Sequence, residues 1–139
     1  MGKIRHIALA TKDPDATAKF YKEAFGLTEE AKFDTPLGHG YALSDGSINL
    51  TIVEFLGVDQ LGKGMDYVGL HHIGFLVDDT KKVGDKMVGL GAKPFMPRAD
   101  GEKDDGGFEV KHRGPDGVVI DISEHPWPGV APLSKEAAE

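Results

Sequence analysis

The sequence predicts an α+β protein made of two copies of one unit, a strand, a helix and three further strands. Three observations carry this. Arg5-His6-Ile7-Ala8-Leu9 near the N-terminus and His71-His72-Ile73-Gly74-Phe75 in mid-chain share one pattern. His6 and His72 are 66 residues apart, about half of the 139-residue chain. The turn signal Asp45-Gly46 recurs as Asp116-Gly117. Self-similarity at half length means two copies of one supersecondary unit. A histidine at the same place in each copy suggests two ligands meeting across a pseudo-twofold axis.

The elements follow in order. Residues 3–10 alternate in hydrophobicity and read as a strand. Asp13 is an N-cap and Pro14 suits the first helical turn. Ala16, Phe20, Tyr21, Ala24 and Phe25 then follow at helical spacing, and Gly26 ends the helix. Residues 27–34 form the second strand, Thr35-Pro36-Leu37-Gly38 a break, and 40–44 the third. The Asp45-Gly46 turn leads into a fourth strand over 47–54. Residues 70–77 repeat the first strand, and Asp78-Asp79-Thr80 caps a helix that runs through Met87, Val88 and Leu90 to Gly91. Short strands follow at 92–97, 108–113 and 118–124, with a polar, Gly-rich loop over 98–107. Module one therefore covers 3–54, a linker 55–68, and module two 69–124. The remainder, 125–139, reads as an extended tail.

Composition limits the function. The chain suits one globular domain, with 40% hydrophobic and 28% charged residues. A net charge of −7 and the lack of a basic stripe exclude nucleic acid and anionic membranes as partners. With no cysteine there are no disulfides, thiolate metal sites or cysteine nucleophiles. No leader-like or membrane-length apolar run is present, so the expected location is cytoplasmic.

Strand parity assigns the faces. Ile7 and Leu9 belong on a helix, which turns His6 the other way. Ile73, Phe75 and Val77 do the same for His72. Ile48, Leu50 and Ile52 leave Asn49 and Thr51 opposite, and Val118, Ile120 and Ile122 leave Asp121 and Ser123 opposite. Phe108 and Val110 pack inward, leaving Glu109 and Lys111 on the polar face. His6, Asn49, His72 and Asp121 thus share one face at corresponding strand positions. Two imidazoles and a carboxylate suit a divalent ion, Fe, Ni, Co, Mn or Zn. The Asn49 amide is a weak ligand and is expected against a metal-bound water or the substrate. His71 falls on the opposite face as a packing or surface residue. His39, His112 and His125 sit near loops and strand ends. Glu54 and Glu124 have the wrong parity unless a bulge intervenes. Glu102-Lys103-Asp104-Asp105 is a solvated loop tip, without the spacing of a calcium loop.

The motifs His6-Ile7-Ala8-Leu9, Phe20-Tyr21 with Phe25-Gly26-Leu27, Gly69-Leu70-His71-His72-Ile73 and Pro115-Asp116-Gly117 with Asp121 resemble the vicinal oxygen chelate superfamily. That superfamily includes glyoxalase I, methylmalonyl-CoA epimerase, extradiol dioxygenases and bleomycin-resistance proteins. The resemblance spans residues 3–124. It implies paired βαβββ modules in an eight-stranded cup-shaped sheet around a metal, and a homodimer. Glyoxalase-like members place His, Glu, His and Glu where this chain has His6, Asn49, His72 and Asp121. Asn49 departs from that pattern, and Asp121 is shorter than the usual glutamate.

Three functions follow. The first is a metal-dependent lyase or isomerase of glyoxalase or epimerase type. It would act on a small oxygenated substrate chelated through vicinal oxygens, with Glu109 as base and Lys111 as its electrostatic partner. The second is an Fe(II)-dependent dioxygenase. The third is a metal-free small-molecule binding or resistance protein, for which an intact His6–His72–Asp121 set has no use. The fold alone does not choose among them.

Overall fold

The computed structural model describes residues 2–95 and 109–133. The first unit runs β1 (Gly2–Ala10), α1 (Pro14–Phe25), β2 (Thr28–Thr35), β3 (Gly38–Ser44) and β4 (Asn49–Phe55). The second runs β5 (Gly69–Val77), α2 (Thr80–Gly89), β6 (Lys93–Phe95), β7 (Val110–Arg113) and β8 (Val119–Ser123). A 3₁₀ turn, Pro115–Gly117, precedes β8. All eight strands form one mixed sheet in the order β2-β3-β4-β1-β5-β8-β7-β6, curved but not closed into a barrel. The order is its own mirror about the β1–β5 seam, as two copies of one unit require. The expected start of β7 at Phe108, the 98–107 loop with Glu102-Lys103-Asp104-Asp105, residues 96–97 and the tail beyond 133 lie outside the described residues.

The β1–β5 seam is antiparallel and obeys the repeat residue by residue. His6 pairs with Gly74, and Ala8 pairs with His72. The pairing shifts twice, between Ile4 and His6 and between Ala8 and Leu9. Leu9 faces Leu70, so His71 is an extra residue on β5; Ile4 faces Phe75, so Arg5 is the matching extra residue on β1. Each is a β-bulge, and each immediately precedes one of the two repeat histidines.

Local chemistry sets the helices. The Asp13 side chain accepts the Ala16 N–H, and the Asp79 side chain accepts the Lys82 N–H. The Glu124 carboxylate accepts both the backbone N–H and the hydroxyl of Thr80, which anchors the start of α2. Glu54 accepts from the His39 ring at 2.8 Å. Both glutamates thus have structural partners rather than a place on the concave face.

The convex face packs unevenly. Under α1, Ala18, Leu43 and Ile52 are buried, with Leu9, Leu50, Tyr21 and Tyr41 against them. Under α2, Phe75, Val77, Val83, Met87, Ile120 and Ile122 line an apolar cavity of about 260 Å³. Gly84 stands in α2 where the repeat places Ala18 in α1, so the second helix lacks a methyl at its packing point. His112 lies buried beneath Gly84. Among the described residues, no helix is long and apolar enough to cross a membrane.

Residues 125–133 correct the expectation of an extended tail. They fold back over the concave face. Trp127 and Val130 are buried against Leu76, with Leu133 beside them. The Pro128 carbonyl accepts from Asn49 Nδ2, and the Gly129 carbonyl accepts from Ser44 Oγ. Burying the indole contributes on the order of 4 kcal/mol, enough to hold a segment without secondary structure of its own. Gly129 allows the approach: its φ is +84°, and a Cβ there would stand 2.4 Å from the Ser44 Cβ.

These packings set opposite signs for two alanine substitutions. At Gly84 an added Cβ meets its neighbours at 3.5 Å or more, which is ordinary contact. Gly84→Ala is expected to stabilise the fold by roughly 0.5–1 kcal/mol through helix propensity. Gly129→Ala is expected to destabilise it by about 1–3 kcal/mol through strain and loss of the tail contact. Urea midpoints measure both. A destabilised Gly84→Ala or a neutral Gly129→Ala would contradict the packing described.

Candidate metal centre and its cavity

The paired bulges bring the two repeat histidines together on the concave face. His6 Nε2 lies 3.0 Å from His72 Nε2, and His72 Nε2 lies 3.1 Å from Asp121 Oδ2. Donor atoms of His6, His72 and Asp121 all lie within 4.8 Å of one another, and all three residues are buried. Burial lowers the His6 pKa, partly opposed by the Glu109 charge. Burial and the Lys111 ammonium hold His72 at about 3. Both rings are therefore neutral at pH 7. Two neutral imidazoles and a carboxylate converging on one point fit a divalent cation by donor chemistry.

Asn49 takes a different place from the one expected. Its side chain is fully buried, with no exposure. Its Oδ1 accepts from the His6 ring Nδ1 at 2.7 Å and from Thr51 Oγ1 at 2.8 Å, and its Nδ2 donates to the Pro128 carbonyl at 3.0 Å. The Pro128 carbonyl fixes which end of the amide is oxygen, so His6 carries its proton on Nδ1 and presents a bare Nε2. Asn49 orients a histidine: its Oδ1 accepts twice and its Nδ2 donates to Pro128, all inside the protein. The register explains this. Asn49 sits beside His6, whereas Asp121 sits beside Gly74, the repeat partner of Ala8. Asp121 therefore matches Thr51 in the repeat, two residues along from Asn49 and on the same face, rather than matching Asn49.

His71 also departs from expectation. The bulge breaks strict alternation, so His71 is buried beside His72 instead of facing away. Its ring stacks on Phe55 at 3.9 Å, and its Nδ1 lies 2.7 Å from His72 Nδ1. Burial first, then the neighbouring His72, lowers its pKa to about 4.

Glu109 and Lys111 stand on the same side as the three convergent groups. Lys111 Nζ contacts both Asp121 oxygens at 2.8 and 2.9 Å, and Glu109 Oε2 at 3.6 Å. Glu109 Oε1 accepts the Trp127 indole N–H at 2.6 Å and lies 3.9 Å from His6 Nε2. Trp127 also stacks flat on His6, with centroids 4.7 Å apart. A cavity of about 390 Å³ opens beside these groups, lined by His6, His72, Glu109, Lys111 and Thr51 with apolar residues of β2, β3 and β4. Gln60 lines it too. Gln60 is 6% exposed, and its side-chain oxygen has no hydrogen-bond partner. His39, His112 and His125 are not among the convergent donors.

Sequence reasoning missed Trp127, Pro128 and Gln60 because they lie outside the repeat. A lone tryptophan in a segment read as a tail was the one available signal for the first two. No pattern marks Gln60.

Comparison with known proteins shows the family. The model of the Glyoxalase/Bleomycin resistance protein/Dioxygenase superfamily matches residues 3–122. The chain is 28% identical over 102 residues to an ethylmalonyl-CoA/methylmalonyl-CoA epimerase of Cereibacter sphaeroides, covering 67% of this chain and 74% of that protein. A Streptomyces coelicolor methylmalonyl-CoA epimerase, solved with 2-nitronate-propionyl-CoA, superposes with a TM-score of 0.66 at 21% identity, covering 86% of this chain and 94% of that one. A Mycobacterium tuberculosis methylmalonyl-CoA epimerase gives 0.66 at 17% identity, covering 98% and 91%.

Gly74 offers a direct probe of this geometry. A Cβ there would stand 2.8 Å from the His6 Cβ and 2.9 Å from the Trp127 ring. Gly74→Ala is expected to displace the His6–Trp127 stack. Trp127 is the only tryptophan, so its fluorescence reports the change without interference. Asn49→Ala is expected to cost about 1–3 kcal/mol, because it strands the buried His6 Nδ1–H and the Pro128 carbonyl. Unchanged tryptophan emission in the first variant, or unchanged stability in the second, would refute these contacts.

Proposed function

The chain belongs to the Glyoxalase/Bleomycin resistance protein/Dioxygenase superfamily, and on that premise we propose that it is an epimerase-type enzyme. It moves the proton α to a thioester carbonyl and holds a divalent cation on His6, His72 and Asp121. One observation carries the reading: three buried donors converge beside a carboxylate, Glu109, that lines an open cavity and is not one of them. The likeness to epimerases of ethylmalonyl-CoA and methylmalonyl-CoA supports the substrate class. A malonyl-type thioester presents two oxygens, one on the carbonyl and one on the carboxylate, suited to chelation.

When bound, the cation supplies Lewis-acid stabilisation of negative charge developing on the thioester oxygen. The protein's own groups do the rest. Asp121 is committed to the donor set and to Lys111, so it is a poor base. Glu109 is the base. Its Oε1 is held by the Trp127 N–H, and Oε2, 3.6 Å from the Lys111 ammonium, receives the α-proton. Lys111 adjoins both carboxylates and places positive charge where an enolate forms. The same ammonium competes with a cation for Asp121, so it weakens ion binding while favouring an anionic intermediate. Burial keeps both imidazoles neutral at neutral pH, so neither carries a positive charge that would repel a cation. Asn49 brings no carboxylate to the cavity, and negligible isomerisation of the methylglyoxal–glutathione hemithioacetal follows.

The test is deuterium exchange. Methylmalonyl-CoA and ethylmalonyl-CoA in D2O with protein and cobalt or zinc are expected to gain α-deuterium, read by mass spectrometry. Glu109→Gln is expected to slow exchange roughly 100- to 10,000-fold while keeping the cation. His6→Ala and His72→Ala are expected to lose the cation. Lys111→Met is expected to bind it about tenfold more tightly yet exchange more slowly. Full exchange in Glu109→Gln would remove Glu109 as base. Oxygen consumption by the iron-loaded protein in place of exchange, or stoichiometric metal in the His72→Ala protein, would overturn the reading.

A further inference from the structure

The orienting partner of His72 is an unusual one. His6 is oriented by an amide, Asn49, which accepts from its Nδ1. Among the described residues, the corresponding Nδ1 of His72 meets the Nδ1 of the preceding residue, His71, at 2.7 Å, rather than a carboxylate or a carbonyl. Neighbours on a regular strand point to opposite faces and cannot make this contact. The bulge at His71 makes it possible, and the stack on Phe55, 19° from parallel, holds the His71 ring in place.

We propose that His71 is the positioning residue of His72, and that the two Nδ1 atoms share a single proton whose owner changes when a cation takes His72 Nε2. The inference rests on the metal reading above for its second half only. The bonding follows from the donors and acceptors present. Two nitrogens at this distance need one hydrogen between them, since two bare lone pairs or two N–H groups would repel. With no cation, His6 Nε2 is bare and Asp121 Oδ2 is an acceptor, and both face His72 Nε2. His72 then carries its proton on Nε2, and His71 donates from Nδ1. Were a cation held at Nε2, His72 would give up that proton to solvent. His72 takes over the proton between the two Nδ1 atoms, and His71 gains one from solvent at its own Nε2. Both rings remain neutral throughout. His71 lines a cavity of about 480 Å³ with Lys63 and Arg113, so proton exchange on that side is open. An imidazole can serve in both states because it both donates and accepts. A fixed carboxylate could only accept.

Two neutral orienters, Asn49 and His71, also leave Asp121 as the one anionic group in the donor set, and Lys111 partly offsets it. A cation held this way keeps more of its charge for the substrate than one whose histidines are backed by carboxylates.

The experiment uses nitrogen-15 histidine-labelled full chain, first stripped of divalent ions and then loaded with zinc. A through-hydrogen-bond 15N–15N coupling between the two Nδ1 atoms is expected in both states, with His71 as donor before zinc and His72 after. His71→Phe keeps the stack on Phe55 and removes the acceptor. It is expected to lose the coupling and bind zinc roughly 10- to 100-fold more weakly. His71→Asn keeps an atom that can donate or accept near the Nδ1 position, and is expected to stay within about threefold of the unaltered protein. No coupling in the unaltered chain, or a donor that stays on His71 in the zinc-loaded protein, would overturn the proposal. So would tight zinc binding by His71→Phe with weak binding by His71→Asn, which would make packing the whole role. Coupling with no zinc uptake at all would reject the metal reading and leave the histidine pairing standing.

Discussion

The β1–β5 pairing is the constraint on which the rest of this structure depends. It is an antiparallel contact between two copies of one sequence, and its register maps onto itself under the repeat. Each strand carries one extra residue, Arg5 on one and His71 on the other, directly before a histidine. A bulge raises local twist and re-aims the side chain that follows. Here the two bulges turn His6 and His72 towards each other until their Nε2 atoms are 3.0 Å apart.

On that symmetric frame the two halves differ where the chemistry differs. Asn49 beside His6 is an amide fully enclosed by protein; its repeat counterpart, Val119, is apolar. Thr51 is a hydroxyl that bonds to Asn49, while its counterpart Asp121 is the carboxylate that faces His72 and Lys111. The first half supplies one well-oriented neutral ligand. The second supplies the charge, the counter-charge and Glu109. The uneven packing under the helices follows the same division, with a filled core beneath α1 and an apolar cavity beneath α2.

Residues 125–133 tie these parts together. Trp127 stacks on His6 and donates to Glu109; Pro128 bonds Asn49; Gly129 bonds Ser44. One short segment therefore fixes a candidate ligand, its orienting amide and the candidate base at once. Loss of the segment would loosen all three while leaving the sheet order intact, because no strand of the sheet lies within it.

The sequence by itself determined the two-unit α+β architecture, the caps at Asp13 and Asp79, and the faces of Leu9, Leu50, Ile120 and Ile122. Those rest on local rules, periodicity and capping, that act over a few residues. It also put His6, His72 and Asp121 on one face, because alternation holds between each of them and the helix-facing residue that follows, Ile7, Ile73 and Ile122, even though it fails at the bulges just before the histidines. What it could not determine was register. Where one strand lies against its neighbour depends on bulges and on the packing of whole faces, and neither leaves a periodic mark. The tertiary structure alone therefore decided that Asp121 stands two residues on from the repeat position of Asn49, that Asn49 turns inward to His6, and that His71 joins His72 instead of facing away. It alone decided that residues 125–133 close over the site, since a segment with no secondary structure is placed by the surface it meets, and that surface exists only once the sheet has formed.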